Sequence, residues 1–267
     1  MRLPRSAAVV DDLAVLPEVG STNDALVARV AAGPVDDFAV VVTGSQTAGR
    51  GRLGRVWVAP PGASLSISVL LRPVLPAGEP LDTQHYGWLP LIAGVAMTRA
   101  VQSVVEPSRV GLKWPNDVQI DGLKVSGLLA ELLPGGDAVV VGAGLNLSLT
   151  REQLPTPVST SLALSGAALE GDELADAALS VYLTTLRELY TGFVRLGADP
   201  LGSGVAEQVT DLCTTIGQRV KVELPGAPDL VGSAVGIDDA GRLLVRASLD
   251  GQVTAVAAGD VTHLRYE

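Results

Sequence analysis

One short segment of the sequence concentrates groups that could bind an anion. Residues 46–57 read Gln-Thr-Ala-Gly-Arg-Gly-Arg-Leu-Gly-Arg-Val-Trp, in which glycines alternate with three arginines, Arg50, Arg52 and Arg55. Glycine lets main-chain N–H groups approach a ligand, and each guanidinium offers a fork of donors that matches phosphate or carboxylate. The segment predicts a loop, neither helix nor strand, that closes over an anion. A solvated surface loop or a nucleic-acid-binding tail is the alternative on this evidence alone.

Other polar groups interrupt stretches that are otherwise apolar. They are Ser21-Thr22-Asn23, Lys113-Trp114-Pro115-Asn116-Asp117, and Gly142 to Asn146. Each has a structural alternative: Ser21 or Thr22 could merely cap a helix, and the asparagines could lie in turns or at strand edges. Lys124 is harder to explain by packing, because it opens a strongly apolar stretch that runs to Leu133 and contains Glu131.

Composition excludes several classes of protein. The chain has 267 residues, 47% of them hydrophobic, and a formal net charge of −10. A general binder of nucleic acids or membrane surfaces usually has a basic face, which a net charge of −10 does not favour. We therefore interpret the three arginines as part of one local binding site. The single cysteine, Cys213, allows neither an internal disulfide nor a cysteine-pair zinc site. We find no signal peptide and no transmembrane segment, and we expect a cytoplasmic protein.

The elements that must position these groups follow from hydrophobic periodicity and turn signals. We predict helices from Ser21 or Thr22 to Gly33, over 88–105 and over 172–194. We predict strands over 39–43, 64–71, 110–113, 118–120, 124–133 and 137–149, with a hairpin turn at Asp121-Gly122. Consecutive strands joined by hairpins indicate an α+β fold, a mixed or antiparallel sheet with helices on one side.

The last part of the chain changes to short strands. We predict strands over 219–224, 230–237, 242–248 and 252–257, separated by Pro225-Gly226, Asp239-Ala240-Gly241 and Asp250-Gly251. Strands at this spacing are typical of a small β barrel or sandwich. We expect a boundary between Asp211 and Gly217, which divides the chain into domains 1–213 and 214–267.

Taken together, these motifs resemble the biotin protein ligases. The matching pieces are Ser21-Thr22-Asn23; Gln46 with the Gly49 to Arg55 segment and Trp57; the Lys113 to Asp117 block; Lys124 with Gly127 and Glu131; and Gly142, Gly144 and Asn146. The resemblance spans residues 15–265, and the strand-rich tail resembles the SH3-like C-terminal domain of that family. Leu53, Ser45 and Ser126 depart from residues that are common in relatives, but none of them removes a proposed catalytic group.

The resemblance implies a reaction in two steps. Biotin is activated with ATP and Mg²⁺ to biotinoyl-5'-AMP, and the biotinyl group then passes to a lysine of a biotin carboxyl carrier domain of a carboxylase. About 20 residues precede Ser21, too few for a winged-helix domain, so we expect the ligase-only type that does not bind DNA. The resemblance leaves a monomer and a homodimer equally open.

The resemblance also implies roles for individual residues. The catalytic residues would be Lys124, Arg52 and Arg55. The biotin-binding residues would be Ser21, Thr22, Asn23, Gln46, Gly49, Arg50, Gly51, Arg52, Lys124 and Gly127. The ATP and adenylate would contact Arg52, Arg55, Trp57, Asn116, Lys124 and Asn146. Asp117 is the candidate for positioning the metal or orienting the acceptor lysine.

Two other functions remain open at the level of sequence. A lipoate or octanoate ligase has a similar fold and also activates a carboxylate, although the Gly49 to Arg55 loop with Gln46 fits the biotin branch better. A biotin-sensing protein without turnover would keep the pocket, but the presence of Lys124, Arg52 and Asn116 argues against it. We further expect the arginine-rich loop to act as a mobile lid that protects the mixed anhydride from water.

Overall fold

The computed structural model describes residues 1–222, 228–257 and 261–263. Nine strands come first in the chain: β1 (Leu13–Leu16), β2 (Val40–Thr43), β3 (Gly49–Arg50), β4 (Val56–Trp57), β5 (Ser64–Leu71), β6 (Val110–Lys113), β7 (Asp117–Ile120), β8 (Leu123–Leu132) and β9 (Val139–Asn146). Seven of them form one sheet in the order β1-β2-β5-β9-β8-β7-β6, while β3 and β4 pair with each other. The sheet lies between the helices that cover its two faces.

The large sheet is mixed, as the sequence predicted. β1 pairs in parallel with β2, and the other pairings are antiparallel. The predicted strands 64–71 and 110–113 match β5 and β6 residue for residue, and the Asp121-Gly122 turn has the positive φ angles, 50° and 75°, that a tight hairpin needs. β1 was not predicted, because its four residues, Leu-Ala-Val-Leu, are too few to show an alternating pattern.

The helices of the chain are α1 (Pro4–Ala7), α2 (Thr22–Ala32), α3 (Trp88–Gln102), α4 (Gly171–Arg195) and α5 (Val205–Leu212). The two long helices, α3 and α4, pack against each other and join the main core on one face of the sheet, as expected. The shorter α2 covers part of the opposite face, where its Leu26 packs with Val41, Leu70 and Val140. The helices α1 and α5 were not predicted, since each has only one or two turns.

The strands β5 and β9 have two different faces. Toward α3 and α4 they present only apolar side chains: Leu65, Ile67, Val69, Leu71, Val139, Val141, Ala143 and Leu145. Because side chains alternate along a strand, the intervening positions face α2. Most of these positions are small or polar: Ser64, Ser66, Ser68, Gly142, Gly144 and Asn146. The sheet is therefore packed on one face and leaves room on the other.

The expectation that residues 46–57 contain no strand is wrong. Gly49 and Arg50 pair with Trp57 and Val56 in an antiparallel two-stranded ribbon, and Arg52–Gly54 forms one 3₁₀ turn between them. Gly54 has φ +73°, so glycine permits the reversal. Pairs of two residues are too short to show an alternating pattern. We call residues 46–57 the Gly-Arg loop.

Five more strands form a second sheet: β10 (Arg219–Val222), β11 (Leu230–Ile237), β12 (Leu243–Ala247), β13 (Val253–Val256) and β14 (Val261–His263). They are antiparallel in the order β13-β12-β11-β10-β14, and no pairing within the described residues closes this sheet into a barrel. The predicted strand end at 223–224 and the turn Pro225-Gly226 lie outside the described residues. β14 was not predicted, because only three residues form it.

The second sheet packs on the first part of the chain through the β11–β12 turn. Trp88 Nε1 donates to the Asp239 carbonyl at 2.7 Å, and Trp114 Nε1 donates to the Gly241 carbonyl at 3.2 Å. Val220, Leu243 and Val245 belong to the same continuous core as α3 and α4. None of the described helices combines the length and hydropathy that crossing a membrane requires.

Candidate active site

A cavity of about 400 Å³ opens on the small-residue face of the large sheet. Fourteen of the fifteen predicted site residues line it: Ser21, Thr22, Asn23, Gln46, Arg50, Gly51, Arg52, Arg55, Trp57, Asn116, Asp117, Lys124, Gly127 and Asn146. The fifteenth, Gly49, is not among the lining residues and packs behind Gln46. Residues that are as much as 125 positions apart in the sequence thus meet at one site.

The start of α2 supplies one polar wall of the cavity. Ser21 caps the helix, its Oγ accepting from the Asp24 N–H at 3.3 Å, which confirms the predicted cap. Gln46 Oε1 accepts from the Thr22 N–H at 2.8 Å, so the free N–H of the helix start fixes the side chain that begins the Gly-Arg loop. The functional and capping interpretations of this motif are compatible, since Ser21, Thr22 and Asn23 also line the cavity.

Ser68 connects this wall to the floor of the cavity. Its Oγ lies 2.8 Å from Thr22 Oγ1 and 2.5 Å from Asn23 Oδ1. Asn23 Nδ2 in turn donates to Glu131 Oε2 at 2.5 Å. Thr22, Asn23 and Ser68 are buried, Glu131 is partly exposed, and their mutual hydrogen bonds fix the orientation of the Asn23 amide.

Four glycines leave space for functional side chains. A Cβ atom at Gly49 would overlap the Gln46 side chain and the Trp57 backbone, and one at Gly144 would lie 2.5 Å from Trp57 Cζ2. A Cβ atom at Gly142 would meet the Asn23 amide, and one at Gly127 would lie 2.7 Å from Lys124 Nζ. A larger residue at Gly49, Gly142 or Gly144 would therefore displace a site group, and one at Gly127 would push the Lys124 ammonium group from its position.

Lys124 projects from β8 into the cavity beside the carboxylate of Asp117. Its Nζ lies 2.6 Å from Asp117 Oδ1, an ion pair by distance although its geometry is not that of a standard hydrogen bond. The same Nζ lies 6.0 Å from the centre of the Trp57 ring. Backbone bonds from Lys124 N to Val158 O and from Thr160 N to Lys124 O fix the strand at this point. An incoming anion would compete with Asp117 for the ammonium group.

The three arginines of the Gly-Arg loop differ in their partners. Arg52 Nη1 donates to Asn116 Oδ1 at 2.8 Å, and Asn116 Nδ2 donates to the Leu128 carbonyl at 2.8 Å. Arg55 is exposed at the edge of the cavity. Arg50 instead forms ion pairs with Asp24 and Glu131. Desolvation lowers the pKa of Arg50, but the two carboxylates outweigh that effect, so its pKa lies above the ordinary value.

The far wall combines Asn146 with residues that the sequence analysis did not single out. Asn146 Nδ2 donates to the Thr160 carbonyl at 2.9 Å, and Thr156 and Ser159, whose hydroxyls lie 2.7 Å apart, line the cavity. The segment 151–160 is rich in proline, threonine and serine, a composition that indicates a simple connection and offers no stronger signal. For Ser66 and Ser68 a signal existed, because the alternation Ser-Leu-Ser-Ile-Ser in β5 places every serine on one face.

This arrangement can bind two anions and a neutral polar group together. Lys124, Arg52 and Arg55 supply positive charge at one end, and the amide and hydroxyl groups around Asn23 supply directed hydrogen bonds at the other. Within the described residues, no three His, Cys, Asp or Glu side chains cluster as a metal site. Asp117 is the one carboxylate among the described residues that line the cavity.

Comparisons with known proteins agree with this geometry. Residues 15–147 match the model of the biotin/lipoate A/B protein ligase family, and residues 215–264 match that of the biotin protein ligase C-terminal domain. The biotin–[acetyl-CoA-carboxylase] ligase of Mycobacterium tuberculosis is 40% identical over 256 residues, which are 95% of this chain and 89% of that protein.

Solved structures extend the similarity to three dimensions. The biotin protein ligase of Aquifex aeolicus in complex with biotin and ATP superposes with a TM-score of 0.70 at 27% identity, covering 96% of this chain and 100% of that one. The Leishmania major biotin protein ligase in complex with biotinyl-5-AMP gives a TM-score of 0.60 at 26% identity, covering 93% and 100%. With its motifs, its cavity and its relatives in agreement, this chain belongs to the biotin protein ligases.

Proposed function

We infer that this chain activates biotin with ATP and attaches it to a lysine of a biotin carboxyl carrier domain. In the first step, a carboxylate oxygen of biotin attacks the α-phosphorus of ATP, and pyrophosphate leaves. In the second step, the lysine amine attacks the acyl carbon of biotinoyl-5'-AMP, loses a proton and forms an amide, while AMP leaves. The observation that supports this most is the meeting of Lys124, Arg52 and Asn116 in one cavity.

The relatives support both the reaction and its substrates. The Mycobacterium tuberculosis relative is named for acetyl-CoA carboxylase as its acceptor, and the structural relatives are complexes with biotin and ATP and with biotinyl-5-AMP. Biotin and ATP are the substrates of the first step, and biotinyl-5-AMP is its product. A carrier domain of a carboxylase is accordingly the acceptor that we propose for this chain.

The cationic end of the cavity fits the first step. A carboxylate and a phosphate repel each other, and charge grows on the phosphoryl oxygens as the bond forms. Groups fixed in advance around that point stabilise the transition state, and each typically contributes about 3 kcal/mol. We assign this role to Lys124 and Arg52, with Arg55 at the edge of the cavity beside the outer phosphates.

The opposite end fits the ring system of biotin. The ureido group carries N–H donors and a carbonyl acceptor, and the cavity wall there offers both kinds of partner on Ser21, Thr22, Asn23 and Gln46. Gly51 and Gly127 leave room for the chain between the ring and the carboxylate. Trp57, Asn116 and Asn146 lie on the remaining walls, where we propose that they contact the adenylate.

The residues present fit a Mg²⁺ ion that arrives with ATP. Mg²⁺ keeps several waters and commonly binds through one or two carboxylates plus substrate phosphates, so a cage of protein ligands is not required. Asp117 is the carboxylate of the described cavity lining that could hold it. When bound, Mg²⁺ would supply charge neutralisation at the phosphate oxygens. Lys124, which lies beside Asp117, would contact the carboxylate of biotin.

We also propose that residues 1–213 form the catalytic domain and 214–267 a C-terminal domain. Two separate sheets and two matching family models support this division. With one cysteine in the sequence, a reducing compartment suits the chain, and we propose that the reaction takes place in the cytoplasm.

Mass spectrometry of a carrier domain tests the proposed function. Incubation with the chain, biotin, ATP and Mg²⁺ should add one biotinyl group to the carrier and release pyrophosphate in the presence of biotin. Lys124→Ala should slow both half-reactions a hundredfold or more, because it removes a charge at the reacting centre. Transfer of lipoate but not biotin would identify a lipoate ligase instead. Biotin binding without pyrophosphate release would identify a sensing protein.

A further inference from the structure

Arg50 binds carboxylates, which separates it from the other arginines of the Gly-Arg loop. We propose that Asp24 and Glu131 are positioning residues that hold this loop closed through Arg50, and that they thereby set how long the adenylate stays bound. Arg50 then serves the closure of the loop, and contact with the phosphates is left to Arg52 and Arg55. The inference rests on the proposed function and deepens it.

The geometry joins three separate elements at one guanidinium. Arg50 Nη2 lies 2.7 Å from Asp24 Oδ1, and Arg50 Nη1 lies 3.2 Å from Asp24 Oδ2. Arg50 Nη2 also lies 3.0 and 3.1 Å from the two oxygens of Glu131. Arg50 belongs to the Gly-Arg loop, Asp24 to the first turn of α2, and Glu131 to β8. The loop is therefore tied to two elements outside it, the helix α2 and the strand β8.

Glu131 extends this tie into the biotin end of the site. Its Oε2 accepts from Asn23 Nδ2, and Asn23 Oδ1 lies beside the Ser68 hydroxyl. Ser68 reaches Thr22, which binds Gln46 at the other end of the same loop. The hydrogen bonds thus form a continuous chain from Gln46 to Arg50, which joins these two residues of the loop to α2, β5 and β8. Loosening Arg50 would leave Glu131 without its cation.

The ion pairs of Arg50 can favour the closed loop and still let it open. The side chains of Arg50, Asp24 and Glu131 are 45%, 57% and 34% exposed, so solvent and salt weaken their attraction. Exposed ion pairs contribute little individually, and a network contributes more. A lid over a mixed anhydride needs this balance, since it must exclude water and later open to a lysine.

The test measures how fast a preformed adenylate leaves the enzyme. Biotinoyl-5'-AMP is formed in place from labelled biotin and ATP, unlabelled biotin is added as a chase, and release is followed without an acceptor. Asp24→Asn should accelerate release about threefold and Glu131→Gln about tenfold, because each removes one charge from the network. Glutamine at 131 can still accept from Asn23, so the second variant isolates the charge.

A second ion pair to the same helix provides a matched control. Arg29 of α2 pairs with Asp12 at 2.7 Å, also at a partly exposed surface position. Asp12→Asn should release the adenylate at the wild-type rate. Raising the salt concentration should accelerate release from the wild-type enzyme and should have little effect on a variant with both Asp24→Asn and Glu131→Gln, which a merely structural role would not produce.

The outcomes separate this inference from the proposed function. A wild-type enzyme that forms no adenylate contradicts the proposed function itself. A wild-type enzyme that forms the adenylate, with Asp24→Asn and Glu131→Gln releasing it at the wild-type rate, overturns the role of these residues alone. Equal acceleration by Asp12→Asn would also overturn it, since the loss of any ion pair to α2 would then suffice.

Discussion

Gly142 and Gly144 of β9 show how the absence of a side chain shapes this site. Both lie on the cavity face of the sheet, one beneath the Asn23 amide and the other beneath the Trp57 indole. A methyl group at Gly142 would lie 3.0 Å from Asn23 Cγ, and one at Gly144 would lie 2.8 Å from Trp57 Nε1. Each glycine therefore sets the position of one group that we expect to contact a different substrate.

Alanine at each of these two positions should weaken the binding of a different substrate. Gly142→Ala should raise KM for biotin about tenfold, because the Asn23 amide must move, and a tenfold change corresponds to about 1.4 kcal/mol. Gly144→Ala should raise KM for ATP to a similar extent, because the indole must move. Steady-state pyrophosphate release with each substrate varied in turn measures both. Equal effects of the two variants on both substrates would contradict the separation.

The types of the site residues could be recognised from sequence, but their partners could not. The Gly-Arg pattern and the lysine in an apolar strand indicate anion chemistry, and fourteen of the fifteen predicted residues line one cavity. The pairing of Arg50 with Glu131 joins residues that are 81 positions apart, and no local pattern encodes it. The three arginines are equivalent in the sequence pattern, but each has a different environment in the folded chain.

At the scale of elements, the β11–β12 turn links the second sheet to the catalytic motif. Its Gly241 carbonyl accepts from the indole of Trp114, which precedes Asn116 and Asp117 in the Lys113 to Asp117 block. Gly241 has φ +78°, and a Cβ atom there would lie 3.0 Å from the Gly87 backbone. A side chain at this position would therefore crowd the start of α3.

Gly241→Ala should destabilise the protein more than the same change at a turn that touches nothing. A positive φ costs a non-glycine residue about 1 kcal/mol, and the contact with Gly87 adds to it, so we expect about 2 to 3 kcal/mol. Gly251→Ala is the control: its φ is +72° and no atom lies within 4 Å, so about 1 kcal/mol is expected. Urea unfolding measures both. Equal losses would show that the turn does not support the interface.

Sequence patterns identified the elements that carry strong local signals. Strands with clear alternation or turn dipeptides, such as β5, β6 and β11, were placed within a residue or two of their bounds. The missed elements are all short, and their stability comes from tertiary contacts that no local pattern reveals: α1, α5, β1, β3, β4 and β14. The second sheet was placed correctly, but its attachment through two tryptophans could not be derived.

At the scale of the whole molecule, α4 holds the core together. It packs along α3, and its Asp176 accepts hydrogen bonds from the Arg5 and Ser6 N–H groups of α1. Its Tyr182 is fully buried, and the hydroxyl finds no hydrogen-bond partner among the described residues. A buried hydroxyl without a partner costs about 1 to 3 kcal/mol.

Tyr182→Phe should therefore stabilise the protein by about 1 kcal/mol at neutral pH. Burial raises the pKa of Tyr182 well above its ordinary value. The unfolded chain then ionises first, so the stability present below about pH 10 falls as the pH rises further. The variant should lose less stability than wild type above about pH 10. Urea unfolding at pH 8 and at pH 10.5 tests both statements, and a less stable variant at pH 8 would contradict them.

The two-faced strands β5 and β9 also have a consequence for redesign. Odd-numbered positions from Leu65 to Leu71 and from Val139 to Leu145 hold the core, whereas the even-numbered neighbours Ser66, Gly142 and Gly144 line the cavity. Alternate positions of the same two strands therefore serve the cavity and the core. An engineer can reshape the pocket at Ser66, Gly142 and Gly144 and leave the core face unchanged, whereas the even positions Leu70 and Val140 pack against α2 and should be kept.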